Sequence, residues 1–81
     1  MKNILKIGIA GVSGYTGKEA LSILLKHPRV RVVYVAANNT RGRVDEIYPE
    51  FLGRTNLVCQ KFNIVQAVQH CDVIFLALPH T

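Results

Sequence analysis

Apolar and polar positions come in blocks along this chain, and the blocks change period. Ile4-Leu5-Lys6-Ile7-Gly8-Ile9-Ala10 is a nearly continuous apolar run. Such a run reads as a strand buried on both faces, the kind found in parallel sheets covered by helices. Gly8 inside it marks close approach by a neighbouring helix or a ligand. From Tyr15 to His27 the spacing becomes helical. Ala20, Leu21, Leu24 and Leu25 form the inward stripe, and Ile23 widens it. Pro28 ends this helix by excluding His27 from the helical region. Arg31 to Ala36 is a compact β-branched run, the second strand.

The pattern then loosens. Ala37 to Asp45 reads as a polar loop, and Asp45 to Tyr48 as one helical turn before Pro49. Glu50 to Asn56 is irregular, with Gly53 as a turn. Leu57-Val58-Cys59-Gln60 is a weaker strand, predicted at a sheet edge. Asn63 caps a short helix, Ile64 to His70, with Ile64, Val65 and Val68 predicted inward. Asp72 to Leu78 is a final, strongly apolar strand.

Between the first strand and the first helix lies Gly11-Val12-Ser13-Gly14-Tyr15-Thr16-Gly17. In a strand–turn–helix setting, a G-x-x-G-x-x-G loop can hold a pyrophosphate. Gly11 lets the chain turn off the strand, Gly14 lets a phosphate approach the backbone, and Gly17 lets helix and strand pack closely. The free amides of the first helical turn then face the anion. Thr16-Gly17-Lys18-Glu19 also fits a capping box starting at Thr16. An earlier start, near Gly14, is preferred because it leaves the Ser13 and Thr16 hydroxyls beside the phosphates. The bland alternative is a tight turn that needs glycine only for its geometry.

The order β-α-β-(β)-α-β predicts an α/β fold: a Rossmann-like parallel sheet with helices on both faces. With the first strand between the second and the last, strand order reverses there. The glycine loop and Leu78-Pro79-His80 then flank the ligand crevice. At 81 residues the chain has about half the length of a complete doubly wound domain. It therefore reads over 1–81 as the amino-terminal part of an NAD(P)-binding Rossmann domain, with the catalytic domain outside it.

The formal charge of +5, from 10 Lys+Arg against 5 Asp+Glu, is scattered rather than gathered into a basic arm. Few aromatics accompany it, so no nucleic acid is expected as a partner. No signal segment or membrane-length apolar run is read, so no membrane association is expected and the cytoplasm is the expected compartment. Cys59 and Cys71 have no metal or disulfide spacing and are expected to be inert buried thiols. His27, at the end of its helix, is read as a partner of the helix dipole.

A site for NAD usually has Asp or Glu at the end of the second strand. Here that position reads Ala36-Ala37-Asn38-Asn39, followed by Arg41 and Arg43. A 2′-phosphate is attracted by guanidinium groups, so the expected cofactor is NADP (NADPH) rather than NAD. The alternative for Arg41 and Arg43 is two solvated loop side chains.

Gly11 to Glu19, followed by Leu24-Leu25-Lys26-His27-Pro28, resembles the amino-terminal signature of N-acetyl-gamma-glutamyl-phosphate reductase. The closing Cys71 to His80 is similar to that family's strand leading to the nicotinamide side of the site, and Tyr48-Pro49 also fits. The resemblance covers essentially the whole chain. It implies an enzyme of arginine biosynthesis that reduces a small-molecule acyl phosphate, N-acetyl-glutamyl 5-phosphate, to the semialdehyde with NADPH. It also implies a homo-oligomer as the full-length protein. In the family a cysteine thiolate expels phosphate and hydride transfer resolves the thioester, with a histidine as acid/base. Both residues are expected beyond Thr81, so the catalytic set within this chain is empty. The cofactor-binding set is Gly11, Ser13, Gly14, Tyr15, Thr16, Gly17, Asn38, Arg41, Arg43, Leu78, Pro79 and His80. One departure stands out: where members often carry serine or arginine after the second strand, this chain has Ala37-Asn38-Asn39-Thr40.

Three other readings compete. One is a related acyl-phosphate reductase, of the carrier-protein-linked or aspartate-semialdehyde type. Another is a non-catalytic NADP-sensing module, which would lack the downstream cysteine. The third, a basic nucleic-acid-binding domain, rests on charge alone.

Overall fold

The computed structural model describes residues 4–12, 14–38 and 40–77. Strand β1 (Leu5–Ala10) leads to helix α1 (Tyr15–Leu25), then to strand β2 (Val30–Ala36). A short strand β3 (Gly42–Arg43) runs straight into a one-turn helix α2 (Val44–Ile47), and a 3₁₀ turn follows over Pro49–Phe51. Strand β4 (Val58–Gln60), helix α3 (Ile64–His70) and strand β5 (Val73–Leu76) complete the described chain. The sheet order is β3-β4-β2-β1-β5, parallel except for the β3–β4 pair. The first strand does lie between the second and the last.

Side-chain alternation sends the two long helices to opposite faces. Val35 belongs with Ile7, Ile9, Val12 and Leu21 in the larger core cluster, under α1 and the 44–51 segment. Tyr34 and Ala36 belong with Ala67 of α3. The strict alternation breaks once. Ile7 pairs with Val32 but Gly8 with Tyr34, a bulge that turns both Val33 and Tyr34 toward the α3 side. Gly8 earns its place there, since a Cβ on it would stand 2.7 Å from Cys71 Sγ.

Four expectations are corrected. Helix α1 stops at Leu25, because the amides of Lys26 and His27 bond back three residues, to Ile23 and Leu24. That tightened turn delivers the chain to Pro28. His27 accepts the Arg29 amide at Nδ1, 3.0 Å, in this turn. Ile23 is 63% exposed, since it sits beyond the edge of the stripe led by Leu21. On α3 the inward residue is Ala67, while Ile64, Val65 and Val68 are all exposed. The small Ala67 lets so short a helix lie against Tyr34 and Ala36, and that contact turns the bulkier positions outward. Finally, β4 is not the outermost strand. Gly42, at φ +120°, turns the loop back so that β3 pairs outside it, and the Val44 amide extends the contact to the Leu57 carbonyl, 2.9 Å.

Candidate nucleotide site

The glycine loop leaves the carboxyl end of β1 at the point where strand order reverses between β1 and β5. Its first two amides are fastened to the end of β2. Gly11 and Val12 both donate to the Ala36 carbonyl, at 2.8 and 3.1 Å. Gly11 adopts φ +94°, and a Cβ there would collide with the Ala77 carbonyl just past β5. The loop is thus wedged between the ends of β2 and β5, with Ala77 tied to Ala10 by a 2.8 Å hydrogen bond.

Each remaining glycine has its own surroundings. A Cβ on Gly17 would run into the Gly11 carbonyl and Val12 Cα, so this position sets how closely α1 rides over the turn. Gly14 differs: its Cβ would meet only the Gly11 carbonyl at an ordinary 3.7 Å, and the residue is exposed. Gly14 is also the N-cap of α1, in extended conformation at φ −83°, ψ 165°. The earlier helix start is therefore the observed one, and the Thr16 capping box is not formed. Among the described residues no side chain caps this end. The first-turn amides of Tyr15, Thr16 and Gly17 have no intrahelical partner, so the positive end of α1 is open beside the uncrowded face of Gly14. This fits an anion carrying several acceptor oxygens.

Tyr15 is 77% exposed, and its hydroxyl donates to Glu19 Oε2 at 3.0 Å. That carboxylate pushes the phenol pKa up. Thr16 is exposed on the first turn. Lys18, on the same turn, reaches across to the 3₁₀ segment, 3.9 Å from Glu50 and 4.8 Å above the Tyr48 ring.

The β2 loop separates the two arginines. Arg41 Nη1 donates to the Ala37 carbonyl at 3.0 Å and to the Thr40 carbonyl at 2.9 Å. It therefore sits one peptide along from the Ala36 carbonyl that holds the glycine loop. Asn38 lies exposed in the same bend. Arg43 is turned elsewhere. Its Nε and Nη2 form a fork with Asp45 at 3.1 and 2.7 Å, and Asp45 is only 8% exposed. In the sequence Asp45 stands out only as the first carboxylate after the second strand; its part in orienting Arg43 depends on the β3–α2 corner. Ser13, Leu78, Pro79 and His80 lie outside the described residues.

Neither cysteine has the surroundings of a nucleophile. Cys59 is buried in the main core, and burial pushes its thiol pKa up, against a smaller opposing pull from Arg41. The Cys71 thiol faces Gly8, and partial burial followed by the Asp72 charge raises its pKa as well. A reactive thiol needs the opposite shift. No described helix is long and apolar enough to cross a membrane.

Comparison with known proteins agrees with this geometry. The family described as "Semialdehyde dehydrogenase, NAD binding domain" matches residues 6–81. The chain is 46% identical over 78 residues to an N-acetyl-gamma-glutamyl-phosphate reductase of Clostridium beijerinckii, covering 95% of this chain and 22% of that protein. Reductases of the same name from Campylobacter curvus and Gloeobacter violaceus are 42% and 40% identical, covering 94% and 99% of this chain. The chain spans only 22% and 23% of those two relatives. The cofactor class of this domain is a nicotinamide dinucleotide. With an open helix start at the strand-order reversal and a match running from Lys6 to the last residue, the chain belongs to the semialdehyde dehydrogenase NAD-binding domain family.

Proposed function

We propose that this chain is the NADPH-binding portion of an N-acetyl-gamma-glutamyl-phosphate reductase. That enzyme would reduce N-acetyl-glutamyl 5-phosphate to the semialdehyde, releasing phosphate, in arginine biosynthesis and as a homo-oligomer. The observation that carries the reading is the open N-terminus of α1, capped by an exposed Gly14 and anchored to the ends of β1, β2 and β5. The likeness to reductases of that name over nearly the whole chain supports the same reading.

Within it, Gly11, Ser13, Gly14, Tyr15, Thr16 and Gly17 form the pyrophosphate loop. The amides at the start of α1 donate to the phosphate oxygens, and Gly14 leaves room for them. Asn38 and Arg41 meet the adenosine ribose and its 2′-phosphate, since Arg41 keeps donors beyond those it gives to Ala37 and Thr40. Arg43 adds positive field while Asp45 holds its fork. Leu78, Pro79 and His80 line the nicotinamide side. When bound, NADPH supplies the hydride; the nucleophilic cysteine and the acid/base histidine belong to the parent enzyme outside residues 1–81.

Calorimetric titration with NADP⁺ and NAD⁺ tests the proposal, after circular dichroism has shown the chain folded. Saturable binding that favours NADP⁺ is expected. The variant Gly14→Val should abolish it while keeping the fold, because the backbone at Gly14 is extended and tolerates a side chain. Unchanged NADP⁺ affinity in that folded variant would sink the loop assignment.

A further inference from the structure

The glycine loop occupies the carboxyl ends of the strands. On the α3 side of the sheet lies a separate cleft of about 460 Å³, running from the amino-terminal parts of β1 and β2 to the end of β4. Lys6 of β1, Arg31 of β2, Gln60 of β4, and Gln66, Gln69 and His70 of α3 line it. Two features set it apart from an ordinary solvated surface.

Lys6 and Arg31 are register partners on adjacent parallel strands, and both face this cleft. Like charges placed opposite each other across a ladder repel, so the pairing is unfavourable unless something negative joins it. Among the described residues no carboxylate lines the cleft. Among the described residues neither side chain forms an ion pair; the pairs found are Lys18–Glu50 and Arg43–Asp45. Asp72 is the acidic residue hydrogen-bonded to this part of β1. Its carboxylate accepts the Lys6 backbone amide at 2.9 Å, and its own amide donates to the Lys6 carbonyl at 2.7 Å. It secures the start of β1 and does not reach into the cleft lining.

The second feature is the donor set. A guanidinium fork and an ammonium stand among glutamine amides that can turn their NH₂ groups toward an acceptor. Such a set suits a compact dianion with several oxygens, and the volume is ample for one.

We propose that this cleft is a second anion site, distinct from the glycine loop. It takes a phosphoryl group through Lys6 and Arg31, with the glutamine amides as further donors. The group can come from inorganic phosphate or from a phosphate monoester.

The test is a titration at constant ionic strength, followed by ¹H–¹⁵N resonances of Arg31 Nε and the side-chain amides of Gln60, Gln66 and Gln69. Inorganic phosphate, glycerol 3-phosphate and succinate are the probes. Saturable shifts at Arg31 with either phosphate probe are expected, with weaker binding of succinate; the tighter of the two phosphates identifies the source. Arg31→Gln should weaken phosphate binding about tenfold, the loss of one charge-assisted contact. It should leave thermal stability in chloride unchanged or higher, because the Lys6–Arg31 repulsion is relieved. Shifts confined to residues 11–17, or succinate binding as tight as phosphate, would overturn the proposal. So would an Arg31→Gln variant less stable in chloride, since Arg31 would then already have a partner.

Discussion

The carbonyl of Gly11 points at the place where a side chain on Gly17 would begin. The two residues fix the separation between the loop and the first turn of α1, and backbone stands on both sides of the contact. A flexible side chain could swing away, but a carbonyl held in a turn at φ +94° cannot. Gly17→Ala should therefore destabilise the protein by about 3 kcal/mol, the upper range for forcing a methyl group into a filled site. Gly14→Ala, whose added methyl meets ordinary contact, should cost about 0.5 kcal/mol or less. Urea unfolding followed by circular dichroism separates them; equal losses would show that the Gly11–Gly17 contact does not limit the packing.

The two arginines of the β2 loop should separate in the same manner. Arg43 is forked onto the nearly buried Asp45, whereas among the described residues Arg41 bonds to the loop carbonyls of Ala37 and Thr40. Arg43→Ala leaves a carboxylate in the core margin without its fork and should lower the melting temperature. Arg41→Ala should leave melting nearly unchanged and weaken NADP⁺ binding about tenfold while sparing NAD⁺, the loss of one charge-assisted contact to phosphate. Calorimetry on both variants with both cofactors decides. Equal loss for NADP⁺ and NAD⁺ in Arg41→Ala would reduce that arginine to general charge.

This division of labour marks where the sequence stops being readable. The β1–loop–α1–β2 unit is legible because local signals agree: a continuous apolar run, three spaced glycines, a helical stripe and a proline stop. The place of β1 between β2 and β5 is the one the Rossmann-like reading expects. The β3–α2 corner is not legible, because Gly42 and Arg43 form a strand only through pairing with β4, which no local propensity records. The misreading of α3 has a related cause. Ile64, Val65 and Val68 carry the apolar signal, but Ala67 is small enough to let the helix approach Tyr34, and proximity to the sheet decides which side is inside. Arg41 and Arg43 look alike in sequence, and only the fold at Asp45 distinguishes them.

Helix α3 is held at its start by a residue from the sheet. The Asn63 amide donates to Tyr34 Oη at 2.9 Å, while Asn63 Oδ1 accepts the amides of Val65 and Gln66 at 3.0 and 3.1 Å. With only seven residues, the helix has little stability of its own. Asn63→Ala should cost about 1 kcal/mol through the lost cap. Tyr34→Phe should cost about 1 kcal/mol through the orphaned amide. Because the bonds share Asn63, the double variant should lose less than the sum. A double-mutant cycle by urea unfolding measures the coupling; strict additivity would show that the two contacts are independent.

The last prediction concerns alkaline pH. Burial raises the Cys59 thiol pKa in the folded chain above its ordinary value of 9.0. The sign follows from proton counting. Above pH 9 the unfolded chain releases this proton while the folded chain keeps it, so the folded state binds more protons and stability falls as pH rises. Below pH 9 both states hold the proton and the effect disappears. The limiting slope is about 1.4 kcal/mol per pH unit for one thiol, until the folded thiol itself titrates. Cys71, raised by its own partial burial and by Asp72, acts in the same direction. Cys59→Ala loses core packing at every pH, so its absolute stability should be lower throughout. Its stability should nevertheless decline less steeply between pH 8.5 and 10 than that of the parent, a difference read from paired urea titrations. Parallel curves across that window would mean that the Cys59 thiol titrates alike in both states, and that its burial in the core does not disfavour the thiolate.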